Sequence, residues 1–377
     1  MARGVGSARP PWHGVRVRSP LPDAAHRLRA IALAGLAVVF TLALTWVTVE
    51  LPGWLAALAS RWIHVPGYDP LIETNDVQQV GRFGWQGWEA ANRFIAANHL
   101  EVLGAASLAL VLVLVIAGFA LGRRVFVATG AIALFLPVFG SFAGSMFFLA
   151  GIGILRVLWL PAWGTALMGL GDVAYLPYMA VVWPLWQAGI DARTVVAYAG
   201  IGIGLLIFVA GTGAWLLARV EGRQVATTWI YRHSRHPQYL GWIVWSWGMT
   251  VLGALQPMPH GGVNPGAALA WMLSTAFIVG VAWLEEGRMR TRAGEAYEVY
   301  RRRTPFLFPV PPRVAAVISA PVRLLTGTDQ PSGRLRIAAC VAVYVAVACL
   351  LSVPFVVLDW PHSDWWAWPA LTLGSTP

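Results

Sequence analysis

The sequence has no lysine; all 27 of its basic residues are arginine. Charge of either sign is scarce at 12% of residues, where soluble domains carry roughly a quarter. Set against 58% hydrophobic residues, this excludes an ordinary water-soluble domain, because a core of this size cannot hide so much apolar sequence. Cysteine is nearly absent. Cys340 and Cys349 stand nine apart inside the last apolar stretch, which excludes a disulfide framework and a cysteine metal site. His64, His99, His260 and His362 are scattered and no His-Glu-x-x-His motif occurs, so no metal is expected. The formal charge is +10, but the arginines flank apolar runs. That is a membrane topology signal, and no nucleic acid partner is expected.

Long apolar stretches are what the sequence has in abundance. They run over about Leu28–Val49, Leu100–Leu121, Val125–Leu160, Thr194–Leu217, Tyr239–Leu255, Ala267–Leu284 and Ile337–Leu358. The expected fold is an all-α polytopic transmembrane helical bundle of about seven spans. Up to nine are allowed if the long stretch holding Pro137 and the apolar segment Tyr175–Trp186 contribute more. The first stretch exceeds the length of a signal-peptide core and is expected to be retained. Arginines alternate from side to side along this list. Arg3 to Arg29, Arg123 and Arg124, Arg219 to Arg235 and the ten arginines from Arg288 to Arg336 fall on one side, which the positive-inside rule makes cytoplasmic. Residues 256–266 and the C-terminal tail then face outward. Trp54, Trp62, Trp159, Trp163, Trp365, Trp366 and Trp368 suit an interfacial aromatic belt.

Four parts follow. Residues 1–27 are a Pro- and Arg-rich cytoplasmic arm without an apolar face. Residues 28–217 form an N-terminal transmembrane bundle. Residues 218–310 form a core with a helical-hairpin ligand site, and residues 311–377 a cytoplasmic linker and the final span. Gly200, Gly202, Gly204 and Gly211 lack the strand–turn–helix setting of a dinucleotide loop and predict close helix packing instead.

The chemistry-bearing region is Thr228–Pro309. Pro237 suits the first turn of a helix, and that helix start favours an anion. The next span returns to the same surface and ends in Glu285-Glu286, which favours a cation. A zwitterion with an added positive centre fits such a hairpin, and Tyr239 and nearby tryptophans can face a cation through their rings. A carboxylate at a span end adds little to packing, so Glu286→Ala is expected to weaken ligand binding and leave folding intact.

The segments Arg235-His236-Pro237-Gln238-Tyr239-Leu240-Gly241, Glu285-Glu286, Gly294-Glu295-Ala296-Tyr297-Glu298-Val299-Tyr300 and Phe308-Pro309 resemble the isoprenylcysteine carboxyl methyltransferase and phospholipid methyltransferase superfamily. The resemblance covers about 80 residues. It departs from the family pattern at Ala293, where an aromatic residue is usual. It implies an integral-membrane enzyme, with a bacterial inner-membrane location suggested by the Arg-, Ala- and Gly-rich composition. It implies S-adenosylmethionine as cofactor, bound by Arg235, His236, Pro237, Tyr239, Gly241, Glu285 and Glu286. Glu286 and Tyr297 are the candidate catalytic residues, and a membrane lipid or small hydrophobic molecule is the partner. His233 is a weaker candidate, and Arg301–Arg303 is either a headgroup site or a topology signal. Membrane sterol reductases share a similar Arg-His-Pro-x-Tyr-x-Gly turn and use NADPH, so a reductase is the alternative, and a non-catalytic membrane binding protein a third.

Overall fold

The computed structural model describes residues 24–59, 96–139, 159, 161, 166–255 and 267–357. Most of the N-terminal arm, residues 256–266 and the C-terminal tail after Val357 lie outside the described residues. The described residues form ten α-helices, two 3₁₀ segments and no strand. The α-helices are α1 (Ala24–Ala59), α2 (Leu100–Leu121), α3 (Arg124–Phe139), α4 (Leu176–Gln187) and α5 (Arg193–Val220). They continue with α6 (Pro237–Ala254), α7 (Ala267–Arg303), α8 (Pro312–Ile318), α9 (Ala320–Thr326) and α10 (Arg334–Val357). The 3₁₀ segments are Ala166–Tyr175 and Trp229–Arg232.

Among the described residues five helices are long and apolar enough to cross a bilayer: Leu28–Thr48, Leu100–Leu121, Arg193–Val220, Ala268–Arg303 and Arg334–Val357. The chain is an integral membrane protein, helical throughout its described core. The expectation of seven spans is met in part. The stretch from Tyr239 is a real helix, the 18-residue α6. The Val125–Leu160 stretch begins as the 16-residue α3, and its residues 140–158 lie outside the described ones. The apolar segment near Tyr175 folds as the 12-residue α4, only about 18 Å long and short of a bilayer.

Helices α6 and α7 form the middle of the bundle. Of the most apolar window of α7, 67% is buried, against 11% for α1, so α1 lies at the periphery and exposes side chains such as Val39, Leu42 and Trp46. The main buried cluster joins Val115 and Phe119 of α2, Leu134 and Phe135 of α3, Ile243 and Trp245 of α6, Phe277 and Val281 of α7, and Cys340 and Val341 of α10. Cys340 is a packing residue, as its isolation predicts.

The glycines of α5 bring that helix onto α6. A methyl group on Gly204 would stand 2.2 Å from the Trp245 backbone nitrogen, and one on Gly241 of α6 would stand 2.6 Å from the Phe208 nitrogen. Small residues thus let two backbones approach, the usual device where lipid removes the hydrophobic drive for helix association. Because α5 runs unbroken to Val220 along α6, the boundary at 217/218 falls within its last turn.

The arginine-rich helix ends converge at one end of the bundle. Arg288 donates to the Gly122 carbonyl (3.0 Å), Arg334 to that of Ala120 (3.5 Å), and Arg124 pairs with Glu285 (3.3 Å). These are groups that the charge alternation puts on one side of the membrane.

Candidate functional site

The site is built where α6 begins and the apolar part of α7 ends. Helix α6 starts at Pro237, whose missing N–H costs nothing in a first turn. The turn before it is pinned from both sides. The Arg235 N–H donates to the Pro305 carbonyl (3.0 Å), the His236 N–H to Ser234 Oγ (3.2 Å), and the Tyr300 hydroxyl to the Tyr231 carbonyl (2.7 Å). The last contact docks the segment after Gly294 back onto the turn. Gly294 makes this possible: its φ of 50° and ψ of −130° interrupt α7, a conformation that side-chain-bearing residues avoid.

Glu286 is the centre of the site. Its side chain is 3% exposed and its Oε1 lies 3.1 Å from Arg235 Nη1 and 3.3 Å from His236 Nε2. Tyr297 is buried within electrostatic reach of both Glu286 and Arg235. Glu285, half-exposed, accepts a hydrogen bond from the Tyr239 hydroxyl (2.8 Å) and pairs with Arg124 of α3. The structure therefore brings Arg235, His236, Tyr239, Glu285, Glu286 and Tyr297 together. Pro237 and Gly241 stand beside them in α6 but face α5: a methyl group on Gly211 of α5 would meet Pro237 Cβ at 3.3 Å. In the described fold both shape helix packing. His233 is exposed, and Arg301 is engaged with Glu298 (2.9 Å) and Gln330 (2.7 Å). Arg302 and Arg303 are exposed.

Arg235 has hydrogen-bonding capacity to spare. Its Nη1 is close enough to Glu286 for an ion pair, but neither Nε nor Nη1 makes a hydrogen bond among the described residues. A buried guanidinium with unused N–H groups is a costly arrangement unless an acceptor meets it. Burial draws the Arg235 guanidinium below its ordinary value, and the Glu286 carboxylate is the largest influence holding it up. Burial likewise pushes the Tyr231 phenol up, with Tyr300 and Glu285 adding to the shift.

An aromatic wall closes one side. The His236 ring stacks near Tyr239 (5.6 Å between centroids) and meets Phe306 edge-on (5.1 Å), while the Arg235 guanidinium lies 5.5 Å from the same Phe306 ring. Phe306 also stacks on Trp283 (5.7 Å). The Phe-Pro pair of the sequence motif is Phe308-Pro309, yet Phe308 is 45% exposed. Phe306→Ala should therefore lower thermal stability and ligand affinity measurably, by about 0.5–1.5 kcal/mol for the lost ring pairs alone. Phe308→Ala should leave both within error, as melting curves and ligand titrations of the two variants would show.

Sequence reasoning also missed Arg124. It reads as a topology arginine, and its pairing with Glu285 is a tertiary contact from outside the motif region. Among the described residues no group of histidine, cysteine and carboxylate side chains could hold a metal ion.

A family model described as "Protein of unknown function (DUF1295)" matches residues 218–304, which is under a quarter of the chain. The matched segment holds the α6 turn, Glu285, Glu286 and Tyr297, and stops before Phe306. No curated protein and no solved structure matches the chain.

Proposed function

We propose that this chain is an integral-membrane methyltransferase that uses S-adenosylmethionine and modifies a lipid-like or small hydrophobic acceptor, with its site on the cytoplasmic face. The observation that carries the reading is the charge arrangement around Arg235. Two carboxylates, Glu285 and Glu286, are answered by two arginines, Arg124 and Arg235, so the cluster is locally balanced and suits a zwitterion better than a polyanion. The unused N–H groups of Arg235 fit the cofactor's carboxylate, and Glu285 and Glu286 fit its ammonium. The aromatic edge formed by His236, Tyr239 and Phe306 fits its sulfonium.

When bound, this cofactor supplies an electrophilic methyl group. Transfer to a carboxylate, thiolate or neutral amine needs no covalent enzyme intermediate, so the protein's work is to orient the acceptor and exclude water. The aromatic wall and the buried Glu286–Arg235 pair provide a dry, fixed surface for this. For an acceptor that must lose a proton, Glu286 or Tyr297 would assist its removal. Purified protein incubated with methyl-labelled cofactor and a membrane lipid extract should produce a labelled, solvent-extractable product. Absence of label in every lipid and small-thiol fraction would count against the reading.

The competing reading is an NADPH-dependent reductase. It draws on Arg232, Arg302 and Arg303, exposed cations on segments held side by side by the Tyr300–Tyr231 contact. Against it stand the two carboxylates in the same cluster, which offset Arg124 and Arg235 and leave no surplus of positive charge there for a phosphate-rich cofactor.

A further inference from the structure

We infer that residues 312–326, the two short helices α8 and α9, dip into the bilayer beside α10 and lie in contact with the acyl chains of the leaflet next to the Arg235–Glu286 site. The sequence reading makes this segment a cytoplasmic linker, because it belongs to the stretch that holds ten arginines from Arg288 to Arg336. Three observations argue otherwise, and none depends on the methyltransferase reading.

The first is depth. The Tyr344 hydroxyl donates to the Ile318 carbonyl at the junction of α8 and α9 (2.5 Å). Tyr344 is ten residues into α10, which starts at Arg334, and that is roughly 15 Å along the helix axis. A helical side chain leans toward its own N-terminus, which brings the hydroxyl back by about a turn. Ile318 still lies about two turns inside the level of Arg334, alongside a helix apolar enough to span the membrane. Val322 of α9 accordingly joins the buried cluster that holds Ile337, Cys340 and Val341.

The second is the outer surface. Val317 is 74% exposed and Leu324 88%. Val314, Ile318 and Leu325 are exposed as well. No acidic residue occurs from Val299 to Thr328. Such a patch in water would be a liability, whereas lipid accommodates it, as it does the exposed apolar side chains of α10 such as Leu350 and Leu351.

The third is the backbone. In hydrocarbon, a break between helices is tolerated only if protein groups satisfy its carbonyls. Here they do. Arg323 donates to the Ala316 carbonyl, Ser319 Oγ to that of Ala315 (2.8 Å), Tyr344 to that of Ile318, and the Arg323 N–H to that of Ser319 (3.0 Å). Pro312 and Pro321 carry no N–H that would need a partner. The Arg323 charge is met by Asp329 (3.1 Å) in the loop that follows, as expected for an arginine reaching back toward water. The inserted pair adjoins the site wall: Tyr344 lies 6.1 Å from the Trp283 ring, which stacks on Phe306.

The test is depth-dependent fluorescence quenching on the full chain. An environment-sensitive fluorophore is placed at Leu324→Cys or Val317→Cys, with Asp329→Cys as the aqueous reference, in a background carrying Cys340→Ala and Cys349→Ala. The protein is reconstituted in phosphatidylcholine–phosphatidylglycerol vesicles. Labels at 324 and 317 should be quenched by a nitroxide near the top of the lipid acyl chain and protected from aqueous iodide several-fold relative to 329. Iodide quenching equal to that at 329 would overturn the insertion. Protection from both quenchers would show that a second copy or another protein covers the helices, and would overturn it too. The two labelled side chains are exposed at separate positions, so a packing defect in one variant leaves the other as the test.

Discussion

Replacing Glu286 by alanine should destabilise the protein by about 3–5 kcal/mol, the usual cost of leaving one member of a buried ion pair without its partner. The expectation from sequence, that a carboxylate at a span end is dispensable for folding, does not hold for this residue. Its side chain and that of Arg235 are 3% and 2% exposed, so the substitution strands a guanidinium away from water. Glu286→Gln should cost less, since it keeps an acceptor for His236 and the shape of the side chain. Arg235→Met combined with Glu286→Leu should cost less than the sum of the two single substitutions, because neither charge is then left alone. Denaturation of the purified variants in one detergent measures all of these. A Glu286→Ala variant as stable as the parent would mean that the pair is not buried in the protein as it folds.

The second large effect lies away from the charges. Gly204→Val should push α5 off α6, because even the first carbon of the new side chain would stand 2.2 Å from the Trp245 backbone. Overpacking of this kind typically costs about 1–3 kcal/mol and occasionally more. Backbone atoms cannot swing aside as a side chain does, which places this site at the upper end. Helix α6 carries Tyr239 and follows directly on His236, so ligand affinity should fall together with stability. Gly202 is the control. Nothing lies within 4 Å of a methyl group built there, so Gly202→Ala should be neutral or slightly stabilising from helix propensity. Equal melting temperatures for the Gly204 and Gly202 variants would contradict the close approach of the two helices.

Much of this architecture is legible in the sequence because bilayers impose strong constraints. Apolar runs of span length, the glycines of α5 and the Glu285-Glu286 pair at a helix return each follow from a local rule. The convergence of Arg124, Arg288 and Arg334 at one end agrees with the arginine alternation. What the sequence does not reveal is tertiary pairing. Arg124 looks like any other juxtamembrane arginine until it meets Glu285. The motif singles out Phe308, and only the turn through Pro305 puts the Phe306 ring on His236 instead. The burial of Glu286 is likewise invisible in sequence, since it depends on Arg235 being brought across from the turn before α6. Residues 312–326 escape notice for a different reason: two seven-residue helices fall below any window that detects a span.

The central claim is the identity of the cofactor, and ligand-dependent thermal stability of the purified wild-type protein tests it most directly. A ligand that binds only the folded state raises the melting temperature in proportion to its saturation. The cluster of Arg235, Glu285 and Glu286 predicts a saturable rise with S-adenosylmethionine and with its demethylated product, both of which carry the carboxylate and ammonium that these residues fit. NADPH should give none. A saturable rise with NADPH, and no rise with either methyl-donor species, would contradict the account and assign the site to a reductase.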